Sequence, residues 1–154
     1  ELNQVLTNND YRLVHIISHA EFAANPKESF IVTYADQKLS LEKLESIVKP
    51  TQHRDKPIEL LTLSACNTAA GDQEWAALGL SGIAIKAGAR SSLATLWKAH
   101  DEAVYHLIRI FYNQLKTADN SKAQALQAAQ MTLIDTDFYH PFYWAPLVLI
   151  GNWL

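Results

Sequence analysis

The sequence has very little cysteine and no long apolar run. Cys66 is the single cysteine among 154 residues, so no disulfide can form within the chain. A thiol without a structural partner is typical of a reducing compartment, and we expect a cytoplasmic protein. No apolar stretch approaches the roughly 18 uninterrupted residues of a membrane helix, and no charged-then-apolar leader opens the chain. We therefore expect no membrane partner.

Basic residues are too scattered to bind nucleic acid. Thirteen Lys and Arg against sixteen Asp and Glu give a formal net charge of -3, and no basic cluster follows a phosphate backbone. We therefore expect no nucleic-acid partner. With 49% hydrophobic residues, residues 1–154 suit a single domain whose core needs no metal or disulfide. The chain starts with Glu1 rather than Met, so we expect a processed chain or an excerpt of a longer one.

Predicted strands and amphipathic helices alternate along the chain. Short apolar runs predict strands at residues 11–17, 58–63, 91–97 and 144–150, and a hairpin within residues 29–39. Helical spacing or capping residues predict helices after Ser40, over residues 80–87 with Gly88 as the C-terminal cap, from Asp101, and after a capping box of Ser121 and Gln124. The alternation predicts an α/β fold with three layers, in which helices flank a mostly parallel central sheet. Trp97, Trp144 and Trp153 are expected in the core.

Two reactive side chains follow two of these predicted strands. His19 comes just after residues 11–17, and Cys66 comes just after residues 58–63. Catalytic groups collect beyond the carboxyl ends of the strands in open parallel sheets. A thiol needs a neighbouring base to become a useful nucleophile, and an imidazole can then protonate the leaving amine. The sequence therefore predicts a Cys66–His19 catalytic pair.

The motifs around these two residues resemble a known family. The histidine motif VHIISHA (14–20) and the cysteine motif LSACNT (63–68) resemble those of CHAT domains, which are bacterial caspase-like modules often attached to tetratricopeptide repeats. The histidine also precedes the cysteine by about 50 residues, as in caspases. Further matches follow in the same order at AGARS (87–91), LW (96–97), DE (101–102), HPFYWAP (140–146) and IGNW (150–153).

The resemblance implies a caspase-like cysteine endopeptidase that needs no cofactor. Cys66 would be the nucleophile, His19 would transfer protons, and the backbone amides of Cys66 and Ala20 would stabilise the oxyanion. The substrate would be a protein or peptide. Tetratricopeptide-repeat regions of the same or another chain are expected as regulatory partners. Only about ten residues precede the histidine strand, so the chain resembles the C-terminal catalytic portion of the family domain.

Two acidic residues are candidates for substrate binding. Asp101 follows the strand that ends at Trp97, where caspase-like folds form part of the substrate cleft, and it could select a basic side chain. Asp101 could instead cap its helix. Asp72, near the cysteine loop, could line the pocket or form a turn.

Other interpretations of these residues stay open. The family usually has glycine where this chain has Ala20, and often an acidic residue where it has Asn67, which favours the alternative of an inactive module that binds protein partners. A cysteine esterase is disfavoured because Ser64 and Thr68 flank the nucleophile where that class needs glycine. Strand alternation places His15 and His19 on one side of the sheet, but no further ligands accompany them, so we expect no metal.

Overall fold

The middle layer of the molecule is a six-stranded sheet. A computed structural model describes residues 2–21, 28–67, 76–97, 99–117 and 119–154. Along the sheet the strands follow the order β3-β2-β1-β4-β5-β6, and the central strands β1, β4 and β5 run parallel while the outer ones are antiparallel to their neighbours. The strands are β1 (Leu13–Glu21), β2 (Phe30–Val32), β3 (Lys38–Ser40), β4 (Leu60–Asn67), β5 (Ser91–Thr95) and β6 (Leu147–Gly151).

Helices cover both faces of this sheet. One face carries α1 (Leu2–Asn8), α2 (Leu41–Val48) and α3 (Ala76–Lys86). The opposite face carries α4 (Asp101–Leu115), α5 (Lys122–Ile134) and α6 (Pro141–Trp144). The predicted three-layer α/β fold is therefore confirmed, with the parallel part of the sheet at its centre.

Strand β4 separates two hydrophobic cores. Leu61 and Leu63 pack with the first group of helices, whereas Leu60 packs with Leu107 and Phe111 of the second group. Successive side chains of a strand point to opposite faces, so one apolar run supplies both cores. This is why β4 is almost continuously hydrophobic and lies in the middle of the sheet.

Local signals in the sequence fix several element boundaries. Ser40 caps α2, where its hydroxyl accepts a hydrogen bond from the Lys43 amide at 3.2 Å. The capping box of Ser121 and Gln124 forms at the start of α5 as predicted. Gly88 follows α3 with a φ of +99°, a left-handed conformation that favours glycine.

Several boundaries differ from the sequence prediction. Strand β1 continues to Glu21 and β4 continues to Asn67, so His19 and Cys66 lie inside strands rather than just after them. The apolar runs mark only the buried parts of these strands, whereas backbone pairing continues through the polar residues that follow. At the other end of the chain β6 begins at Leu147, and Trp153 is 58% exposed rather than in the core.

Candidate active site

The backbone brings the two predicted catalytic positions side by side. In the parallel ladder between β1 and β4, His19 and Cys66 are direct partners. Neighbouring strands lie about 4.8 Å apart, so this register sets the separation of the two backbones. Partnered positions of a parallel ladder share a face of the sheet, and His19 and Cys66 therefore occupy the same face.

Strand alternation divides β1 into a core face and an open face. Val14, Ile16 and Ala20 pack into the core that faces α2 and α3. His15, Ile17 and His19 lie on the other face and line a cleft. The predicted placement of both histidines on one side of the sheet is confirmed.

The cleft has a volume of about 610 Å³ and lies between this open face of β1 and helix α4. Asp101, Val104, Tyr105 and Ile108 line its helical wall with the i, i+3, i+4, i+7 spacing of one helix face. The remaining lining residues are Ser18, Ser64, Thr95 and Ala99. Its size is in the range of small-molecule and peptide side-chain sites.

The inner end of the cleft is half-buried and disfavours positive charge. The His15 ring lies 5.7 Å from the Tyr112 ring, centroid to centroid, and its Nε2 is buried without a hydrogen-bond partner. Burial lowers the pKa of His15 below its usual 6.5. Burial also raises the pKa of Tyr112, and the 2.9 Å hydrogen bond between its hydroxyl and Oγ1 of Thr62 opposes that rise. Both side chains are therefore held in their neutral forms at neutral pH.

Residues 142–146 contact the segment between β5 and α4, which leads into the helical wall. The Leu96 amide donates to the Pro146 carbonyl at 2.7 Å, and Nε1 of Trp97 donates to the Phe142 carbonyl at 3.2 Å. The His100 ring also meets the Tyr143 ring edge-on at 5.4 Å. These contacts support the residues that lead into α4, next to Asp101.

Asp101 begins α4 and is exposed at the cleft, where it lines the same wall as Tyr105. The N-cap position belongs to His100, so Asp101 lies in the first turn of α4 rather than at the cap, and its contact with substrate stays a prediction. The sequence did not single out Ile17 and Tyr105 as site residues. Their signal is the alternation from His19 back to Ile17 and the one-turn step from Asp101 to Tyr105.

The alanine beside the histidine does not narrow the cleft. Ala20 is 1% exposed, and its methyl packs into the core on the face opposite His19. Its backbone is paired with Asn67 on one side and with Ile31 on the other. The predicted pocket residue Asp72 lies outside the described residues.

A second groove of about 820 Å³ lies between α5 and β6. Glutamines and apolar side chains such as Gln127, Leu149 and Trp153 dominate its lining. Of the two hollows, the one beside His19 brings together two imidazoles and a carboxylate. We therefore take the cleft beside His19 as the candidate active site.

Across the described ranges, no group of three or more His, Cys, Asp or Glu side chains is arranged to hold a metal ion. In the same part of the chain, every helix is too short or too polar to cross a bilayer.

The family described as the CHAT domain matches residues 1–152, which is nearly the whole chain. No curated protein matches it.

Proposed function

Because the chain belongs to the CHAT domain family, a family of caspase-like peptidases, we propose that it is a cysteine endopeptidase that uses Cys66 and His19. The observation that carries the proposal is the ladder register that pairs these two positions on adjacent parallel strands. Their common face borders the cleft in which His19 is exposed. A nucleophile and its base need this kind of proximity.

In the proposed reaction, the Cys66 sulfur attacks the carbonyl carbon of the peptide while His19 takes the thiol proton. Collapse of the tetrahedral intermediate breaks the C–N bond, and His19 gives its proton to the departing amine. Water then attacks the thioester, again with His19 as base. The C–S bond breaks, the acid product leaves, and the sulfur regains a proton from His19.

Further roles of residues and partners belong to this proposal. The amides of Cys66 and Ala20 would stabilise the oxyanion. Asp101 would bind a basic substrate side chain at its end of the cleft, and Asp72 would contribute to the same pocket. Tetratricopeptide-repeat regions of the same or another chain would control access, and a reducing compartment such as the cytoplasm would keep the single thiol free.

The central test is cleavage of fluorescein-labelled casein by the wild-type chain and two variants. We expect Cys66→Ala to abolish cleavage and His19→Ala to slow it by about 10²–10⁴-fold, because proton transfer by a positioned side chain contributes that much. His53→Ala is the matched control, since His53 is an exposed histidine that does not line the cleft. Unchanged cleavage by Cys66→Ala would refute the proposal.

A second test uses the thiol itself. Cys66 is the single cysteine, so intact mass after iodoacetamide treatment reports its alkylation alone. We expect His19→Ala to slow alkylation near neutral pH, because the neighbouring imidazole promotes thiolate formation. If alkylation is independent of His19 and casein is not cut, the chain acts as a non-catalytic interaction module.

A further inference from the structure

Two large apolar side chains in the cleft are unusually exposed. Ile17 is 75% exposed although it lies in the middle of β1, and Tyr105 is 62% exposed on α4. Both line the cleft beside His19, and the proposed chemistry uses neither. Val104 and Ile108 line the same cleft from α4, and we call the four side chains together the apolar wall.

The apolar wall lies at a defined distance from the catalytic pair. Ile17 precedes His19 by two residues on the same strand face, which is about 7 Å along β1. Tyr105 follows Asp101 by one helical turn, which is about 6 Å along α4. In an extended peptide, side chains on one side repeat at nearly the same spacing. A peptide whose scissile bond lies at His19 can therefore place a neighbouring side chain against Ile17.

The two ends of the cleft differ from each other in the charge that they favour in a ligand. Asp101 is at one end of the helical wall, one turn before Tyr105. At the other end, His15 is half-buried against Tyr112, in surroundings that disfavour a positive charge. Among the described residues that line the cleft, Asp101 is the carboxylate that can stabilise a cationic side chain, whereas a neutral apolar side chain suits the wall.

We infer that the apolar wall of Ile17, Val104, Tyr105 and Ile108 is a specificity subsite for a large apolar side chain of the peptide substrate, beside the bond that is cut. Leucine, methionine, phenylalanine and tyrosine fit this chemistry. The inference rests on the proposed peptidase function and names the substrate class of the same site. Peptides with only small or acidic residues around the scissile bond are poor substrates.

Binding is measured first, in a variant that lacks the proposed nucleophile. Fluorescein-labelled glycine/serine heptapeptide pools carry one fixed central residue: Gly, Leu, Phe, Lys or Asp. Fluorescence anisotropy gives their affinity for the full chain carrying Cys66→Ala. We expect the Leu and Phe pools to bind about tenfold more tightly than the Gly pool, the scale of a single apolar contact in a pocket.

The subsite is then tested by substitution in the same Cys66→Ala background. Ile17→Ser and Tyr105→Ala should each remove most of the preference for Leu and Phe. Leu13→Ser is the control for the first, because Leu13 is an exposed residue of β1 on the same face but does not line the cleft. Tyr139→Ala is the control for the second, as Tyr139 is exposed and lies outside the cleft. A preference that survives both wall substitutions, or no preference, overturns the inference.

Cleavage of the same pools by the Cys66-containing chain separates this inference from the proposed function. Apolar-dependent binding without cleavage supports the subsite and refutes the peptidase. Cleavage without regard to the central residue supports the peptidase and overturns the subsite. Circular dichroism melts of all variants confirm that each one folds.

Discussion

At the scale of single residues, His15 shows how position on a strand decides what a histidine does. It shares a face of β1 with the exposed His19, but it lies four residues deeper and packs against Tyr112. Its Nε2 is buried without a partner, and burial lowers its pKa. The two histidines therefore share a strand face but differ in solvent access.

We predict that His15 makes folding stability depend on pH. Its pKa is lowered in the folded state, so the unfolded chain binds the proton more readily. The stability is fully present above the unfolded pKa near 6.5 and is lost as the pH falls through the lower folded pKa. Urea denaturation between pH 8 and pH 5 measures this loss.

His15→Gln should flatten this pH dependence, because glutamine does not titrate. His53→Gln is the matched control, since His53 is exposed and does not line the cleft. A profile that is equally steep in His15→Gln and in the wild type would show that the dependence has another source.

The sequence predicts that His19 and Cys66 lie close together better than it predicts their surroundings. The order of strand, histidine, strand and cysteine is enough to expect His19 and Cys66 on neighbouring strands. The apolar wall could not be predicted, because Ile17 has the sequence character of a core residue. Its exposure depends on where α4 crosses the sheet, and that position is set by contacts distant in sequence.

At the scale of elements, the signals carried by caps are the most dependable. Ser40, Gly88 and the capping box of Ser121 each mark a boundary because their role is local and needs only the adjacent turn. Strand ends are harder to predict, because a strand continues for as long as its neighbour offers backbone partners. For this reason β1 and β4 extend past their apolar runs.

The glycines of α3 and its cap allow a matched prediction. Gly88 has a φ of +99°, and a Cβ there would lie 2.5 Å from Cβ of Gln52. We expect Gly88→Ala to lower the free energy of unfolding by roughly 1–3 kcal/mol. Gly82, inside α3, has no atom within 4 Å of an added Cβ, so Gly82→Ala should raise the free energy of unfolding by about 0.5–1 kcal/mol.

Chemical denaturation of both glycine variants beside the wild type gives the comparison. Opposite signs are expected, because the same substitution removes backbone freedom in one case and imposes strain in the other. Equal effects would mean that the left-handed turn at Gly88 does not constrain the fold.

At the scale of the whole molecule, stability should be concentrated in β4. This strand lies between β1 and β5, and its residues Leu60–Leu63 are buried on both faces. We predict that amide hydrogen exchange is slowest in β4 and faster in the outer strands β3 and β6, because local opening exposes an edge without unfolding the centre. Exchange followed by mass spectrometry measures this ranking, and similar rates in β4 and β6 would contradict it.

The pairing of His19 with Cys66 also sets when a reactive site can first exist. The two positions are 47 residues apart in sequence, yet they meet only through a parallel ladder. Parallel pairing of distant segments forms slowly, because the intervening chain must be ordered before the contact is made. A chain still emerging from the ribosome, or one partly unfolded, therefore carries a thiol with no base beside it. In the proposed peptidase, reactivity would therefore arrive together with the finished sheet, so a chain that has not completed folding would not cut its neighbours.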